Sequence, residues 1–170
     1  MQKRDLLIAP VGEAFLILIA ALAGGLLHQP LIFASLGPTA YELIETPHRK
    51  SARPWNIFAG HLAGIGAAWF ALLLTHGWSA PPVSAAGVPW VRIGTATLAA
   101  ALTVLITLLL RASQPAAIAT ALLIALGMMQ TPRDALDIVG AVALIIAFGE
   151  PLRRWRLSHL ERHPTQAERG

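Results

Sequence analysis

Five stretches of this chain contain no Lys, Arg, Asp or Glu: residues 14–41, 54–91, 93–110, 112–132 and 138–149. The hydrocarbon core of a bilayer is about 30 Å thick and is spanned by about 20 helical residues at about 1.5 Å each. Ile57–Leu74 and Ile93–Leu110 approach that length without a charge. Lipid offers no partner to backbone N–H and C=O groups, so it forces such runs to be helical. Only 13% of residues are charged, against about a quarter in soluble domains, which agrees with a membrane composition. The chain reads as an all-α polytopic membrane protein.

Hydropathy divides the chain into six segments, at about 12–28, 31–44, 56–76, 91–110, 114–129 and 135–152. The second would reach only roughly 21 Å as a helix, short of a bilayer. Pro30 and Pro47 bound it and Gly37-Pro38 interrupts it, so its helix should begin near Ser35–Pro38. The fifth opens alike, with Ser113-Gln114 before Pro115. This predicts four long transmembrane helices plus two short broken ones.

The short segments also resemble each other. Thr39-Ala40 follows Ala34-Ser35 much as Thr120-Ala121 follows Ala112-Ser113. On this reading residues 12–76 and 91–152 are two three-helix repeats within one membrane domain, and 153–170 is a basic cytoplasmic tail. Chance likeness in an Ala- and Leu-rich chain explains the alignment as readily. Charge is a separate criterion. Lys3, Arg4, His48, Arg49, Lys50, Arg53 and Arg111 share one face with Arg153, Arg154, Arg156, Arg162 and Arg169 if all six segments cross, whereas 77–90 carries no charge. The positive-inside rule makes that face cytoplasmic and both termini cytoplasmic, with Arg92 and Arg133 fitting less well. If the short segments are re-entrant hairpins instead, the basic 45–55 loop lies outside. Three crossings per unit would insert the second upside down, as in transporters built from inverted repeats.

Other classes find little support. The chain has no Cys, which removes disulfides, thiolate nucleophiles and Cys-type zinc sites. No metal cluster, phosphate loop or nucleophile–base motif stands out, so neither an enzyme nor a cofactor or metal is expected. The net charge of +4 is explained by membrane topology and does not require nucleic acid. Met-Gln-Lys-Arg before AFLILIAALAGG resembles a signal peptide, but the same pattern recurs later as part of a longer unit.

The two short helices supply the candidate site. A helix N-terminus exposes unpaired N–H groups and about half a positive charge, and so attracts anions. Ser35, Gly37 and Thr39 could form one such start and Ser113, Gln114 and Thr120 the other, with Asn56 and His61 nearby. The alternative is that the hydroxyls merely cap helices or pack between them. His61 could relay a proton or make a structural hydrogen bond. Glu42 could be an intramembrane coupling group or an interfacial partner of Arg49 or Arg53. Arg53 and Arg111 could form an anion vestibule or simply obey the charge rule. Gly60-x-x-x-Gly64, followed by Gly66, makes a smooth face for packing within the fold or between copies.

Three motifs together carry a family resemblance: Ser35-Leu36-Gly37-Pro38-Thr39-Ala40; Arg53-Pro54-Trp55-Asn56 followed by Ala59-Gly60-His61; and Gln114-Pro115-Ala116-Ala117-Ile118-Ala119-Thr120-Ala121. Over residues 12–155 the chain resembles the HPP family of small integral membrane proteins, usually described with four transmembrane helices. It departs from the family pattern at Gln114 for histidine, Ala116 for the second proline and Ile118 for glycine. Arg53 and Trp55 likewise replace Gln and Arg. Some family members are linked to nitrite transport, so the resemblance implies a transporter or channel for a small anion, nitrite first. Six short elements enclose little on their own, so a homo-oligomer in the bilayer of an inner membrane is expected. A glutamine at 114 can donate and accept hydrogen bonds but cannot titrate. The runner-up is a non-transporting scaffold or sensor subunit that binds a partner through its glycine faces.

Overall fold

The computed structural model describes residues 5–162, and all of its regular elements are helices. Lys3, Arg4 and Arg169 of the basic clusters lie outside the described residues, as does the side chain of Arg162. Seven α-helices follow in order: α1 Asp5–Leu27, α2 Leu36–Glu45, α3 Pro54–Leu74, α4 Val83–Ala86, α5 Trp90–Leu109, α6 Ala116–Ala125 and α7 Pro132–Arg162. Helices α1, α3, α5 and α7 are long and apolar enough to cross a membrane, while α2 and α6 have ten residues each. The four-long, two-short pattern is therefore present.

Local chemistry sets the boundaries. Proline opens α3 and α7, where its missing N–H costs nothing. Thr131 and Asp134 cap α7 reciprocally: the Asp134 carboxylate accepts from the Thr131 N–H at 2.8 Å, and the Thr131 hydroxyl from the Asp134 N–H at 3.1 Å. Left-handed residues follow the ends of four helices: His28 (φ 53°), His76 (φ 53°), Arg111 (φ 51°) and Gly127 (φ 90°). After three of them the chain turns back on the helix it has left. Gln29 N–H donates to Gly24 O, Ala112 N–H to Thr107 O and Met128 N–H to Leu123 O, at 2.9–3.1 Å.

Each short segment holds a ten-residue helix within its apolar run. In 31–44 it starts at Leu36, within the Ser35–Pro38 start expected from the sequence. In 114–129 it ends at Ala125, because Gly127 takes a left-handed turn. The sixth segment is longer than expected. Although Pro151 removes one backbone bond, α7 continues past it to Arg162, and Arg153 and Arg154 both donate to Glu150 across that turn at 2.6 and 2.7 Å. The first half of the expected tail thus belongs to α7. The uncharged 77–90 loop holds the single turn α4.

Helix α3 is the centre of the bundle, with 61% of its apolar window buried against 17% for α1 and 28% for α5. Between apolar helices lipid provides no hydrophobic drive, so close approach of small residues replaces it. Gly60, Ala63, Gly64, Ala67, Ala68 and Ala71 of α3 are buried, as are Ala116, Ala117, Ala121 and Ala125 of α6. A Cβ on Gly64 would lie 2.5 Å from the Ala117 carbonyl oxygen, so Gly60 and Gly64 are taken up inside the fold, while Gly66 is exposed. In α1, Leu16 and Ala20 are fully buried in the shared core.

Long-range contacts sort the connections into two ends. At one, Arg133 donates to Gln29, Val83 N–H to Leu126 O, and Arg92 to Ala125 O. At the other, Arg153 donates to Pro47 O and Asn56 to Ser113 O. The second end carries Arg49, Lys50, Arg53, Arg111, Arg153 and Arg154 and is the basic end. Each short segment therefore runs from one end to the other, as expected if all six cross.

Candidate functional site

Four of the predicted site residues meet in one buried hydrogen-bonded ring. His61, 2% exposed on central α3, lies between threonines from the two short helices: Thr39 Oγ1 is 3.0 Å from Nε2 and Thr120 Oγ1 is 2.7 Å from Nδ1. Ser35 Oγ is 2.7 Å from Thr120 Oγ1. Thr39 has one hydroxyl proton, and it goes to the Ser35 carbonyl at 2.9 Å. Toward the imidazole Thr39 can therefore only accept, which places a proton on Nε2. With the ring neutral, Nδ1 accepts from Thr120, and Thr120 accepts from Ser35. The ring closes: Ser35 to Thr120 to His61 to Thr39 to the Ser35 carbonyl, with each side-chain proton used once.

The Ser35 hydroxyl joins two helices. It makes no capping bond to α2 and reaches across to α6 instead. The start of α2 meets the second turn of α6, so the two helix starts overlap side by side and do not face each other end to end.

A second polar layer lies toward the basic end. Glu42, 7% exposed and about one turn beyond Thr39, accepts from Ser51 through Oε1 at 3.0 Å, and its Oε2 has no partner. Gln114, 2% exposed, faces this carboxyl, yet neither its Nε2 nor its Oε1 makes a hydrogen bond. Its stem fills the notch left by Gly60, where a Cβ would come within 2.6 Å. Asn56, also buried, ties α3 to the lead-in of α6 by donating to the Ser113 carbonyl at 3.3 Å.

The remaining candidates lie apart from these layers. Gly37 is half-buried beside open space. The Ser113 side chain is exposed, so this residue enters through its carbonyl alone. Arg53 and Arg111 are exposed at the basic end. Glu42 takes Ser51 as its hydrogen-bond partner and makes no ion pair with Arg49 or Arg53. Among the described residues no three His, Cys, Asp or Glu side chains group as metal ligands.

Sequence reasoning undervalued Arg92. It is fully buried, and its guanidinium donates to the carbonyls of Ala80, Pro81 and Ala125, the last at 2.9 Å. It thus holds the 77–90 loop over the C-terminal carbonyls of α6, where a cation is favoured. That is why a positive charge persists at the end opposite the basic loops. The signal was its isolation: a single arginine between two long uncharged runs.

No curated protein and no solved structure matches the chain. A central histidine shared by two short broken helices lies within the region matched by the family model described as HPP, transmembrane region, over residues 1–148, and the chain belongs to the HPP transmembrane family.

Proposed function

We propose that this protein moves a small inorganic anion across the membrane, nitrite being the first candidate from its family, and that the anion passes between α2, α3 and α6. The observation that carries this reading is the buried file of polar groups between the two short helices: Gln114 and Asn56 first, then the Ser35–Thr120–His61–Thr39 ring. Polar groups at membrane depth are costly and cluster where a solute passes. The unpartnered Gln114 amide beside the start of α6 offers an N–H to an anion, and the helix start adds its dipole. Deeper along the path the hydroxyls bond one another, and an anion would take over those donors one at a time. Arg53 and Arg111 stand at the basic entrance.

An inverted repeat is part of the proposal. Helix α1 packs on α2 and α7 as α5 packs on α6 and α3, and exchanging the two triplets leaves the packing pattern unchanged. Thr39 and Thr120 hold equivalent places on the two faces of His61, and left-handed His28 and Arg111 precede the two short helices. The same proposal puts the basic end and both termini in the cytoplasm of an inner membrane and assembles the chain with further copies of itself. The scaffold alternative uses the glycine faces, of which α6 occupies the Gly60–Gly64 part while Gly66 stays exposed.

The test is nitrite flux into liposomes that hold purified protein. Wild type should exceed empty liposomes, while Ser35→Ala and Gln114→Ala should each cut the flux at least several-fold. Absence of flux with nitrite, nitrate, formate and bicarbonate alike would sink the reading.

A further inference from the structure

The polar layer of Glu42 and Gln114 contains more than an anion site needs. Three buried polar atoms, Glu42 Oε2, Gln114 Nε2 and Gln114 Oε1, make no hydrogen bond of normal geometry, although the Gln114 amide lies close enough to act on the Glu42 carboxyl. Each unsatisfied buried group costs about 1–3 kcal/mol, so the arrangement calls for a guest that engages them. An ionised Glu42 would repel an anion seated at the Gln114 amide, because like charges a few ångströms apart in a low-dielectric site disfavour each other strongly. A neutral Glu42 reverses this: its O–H becomes a second donor beside the Gln114 N–H, and the two converge on one acceptor. We propose that Glu42 takes up one proton and that the anion binds between the neutral Glu42 carboxyl and the Gln114 amide, so that one anion and one proton cross together.

The inference rests on the anion-transport reading and adds its coupling. The proton comes from solution at the face where the anion enters, resides on a Glu42 carboxyl oxygen, and leaves with the anion at the other face. Net charge moved is zero. The neighbouring groups fit this role. Arg49 follows α2 and acts on Glu42 through space, while Ser51 donates to it. Helix α6 carries no charged residue, Arg111 precedes it, and α3 has His61 alone. From α1 comes Glu13, next to the Gly12 that packs on Ile44. From α7 come Glu150, with its partners Arg153 and Arg154, next to the Gly149 that packs on Leu43. Glu42 is the buried carboxyl of this group, and its second oxygen has no partner.

The experiment uses full-length protein in liposomes with a trapped pH dye and potassium on both sides, nitrite being measured chemically in parallel. In wild type, external nitrite should acidify the lumen faster than in empty liposomes at the same pH, and valinomycin should leave the rate unchanged. Glu42→Gln, checked for an unchanged unfolding temperature, should lose the added acidification. Ser51→Ala removes the hydrogen bond that favours the ionised carboxylate, so the pH of half-maximal nitrite flux should move upward by about one unit. Nitrite uptake without acidification and accelerated by valinomycin would overturn the coupling and leave the anion reading intact. So would a Glu42→Gln protein that acidifies like wild type. No nitrite uptake by the chemical assay would overturn both.

Discussion

At the scale of single residues, the central point is how His61 is held. A histidine in an apolar run is costly unless both ring nitrogens find partners. Here both do, one from each short helix, and the bond directions follow from the single proton of Thr39. Thr120, like Thr39, serves both Ser35 and His61. Thr120→Val keeps the shape and strands two buried polar groups, so it should cost about 2–5 kcal/mol in unfolding measured in detergent. Thr120→Ser keeps the hydroxyl and should cost much less. Gly127 offers a second test. Its φ of 90° suits glycine, and a Cβ there would lie 2.6 Å from the Arg92 guanidinium nitrogen. Gly127→Ala should cost at least about 2 kcal/mol, read as a fall in unfolding temperature, and should loosen the 77–90 loop to protease.

At the scale of elements, α3 and α6 show how small residues act where lipid removes the hydrophobic drive. The three glycines of α3 are not equivalent. A Cβ at Gly64 would meet the Ala117 carbonyl at 2.5 Å, whereas one at Gly66 would meet nothing within 4 Å. Gly64→Ala should therefore push α6 away and cost about 1–3 kcal/mol. Gly66→Ala should be neutral or add up to about 1 kcal/mol through helix propensity. Equal losses at the two sites would contradict the packing described. Much of this level is legible in the sequence. Uncharged runs, Pro38 and Pro115 place the long and short helices, and the Thr39–Thr120 likeness singles out the pair that meets His61. The stops at His28 and Arg111 are less legible, because neither residue type favours the left-handed region that the turn requires. The continuation of α7 past Pro151 is hidden for another reason: proline signals a break, and the local Glu150–Arg153 and Glu150–Arg154 pairs that bridge it form only once the chain is helical there. That Gln114 and Ser51 both lie beside Glu42 could not be read from the chain alone, since it depends on how the segments pack.

At the scale of the whole molecule, the remaining question is which ends share a side of the membrane. Contacts bring Val83 to Leu126 and Arg133 to Gln29, so the loops around α4 and before α7 lie at one end. Lys50 and Arg111 lie at the other, with Asn56 bonded to the Ser113 carbonyl between them. If α2 and α6 were re-entrant hairpins, residues 84 and 133 would instead fall on opposite sides, because one fewer crossing would separate them. The chain has no cysteine, so a single introduced thiol is the sole target for a membrane-impermeant maleimide. Exposed Lys50, Ser84, Arg111 and Arg133 can each be replaced by cysteine in turn. In intact cells Ser84→Cys and Arg133→Cys should label together, while Lys50→Cys and Arg111→Cys should label only after the membrane is opened. Agreement between 84 and 133 tests the six-crossing path whichever way the protein is inserted, and the direction of labelling then tests the cytoplasmic placement of the basic end. A split between 84 and 133 would return the short helices to hairpins. It would also count against the proposed passage of an anion between α2, α3 and α6.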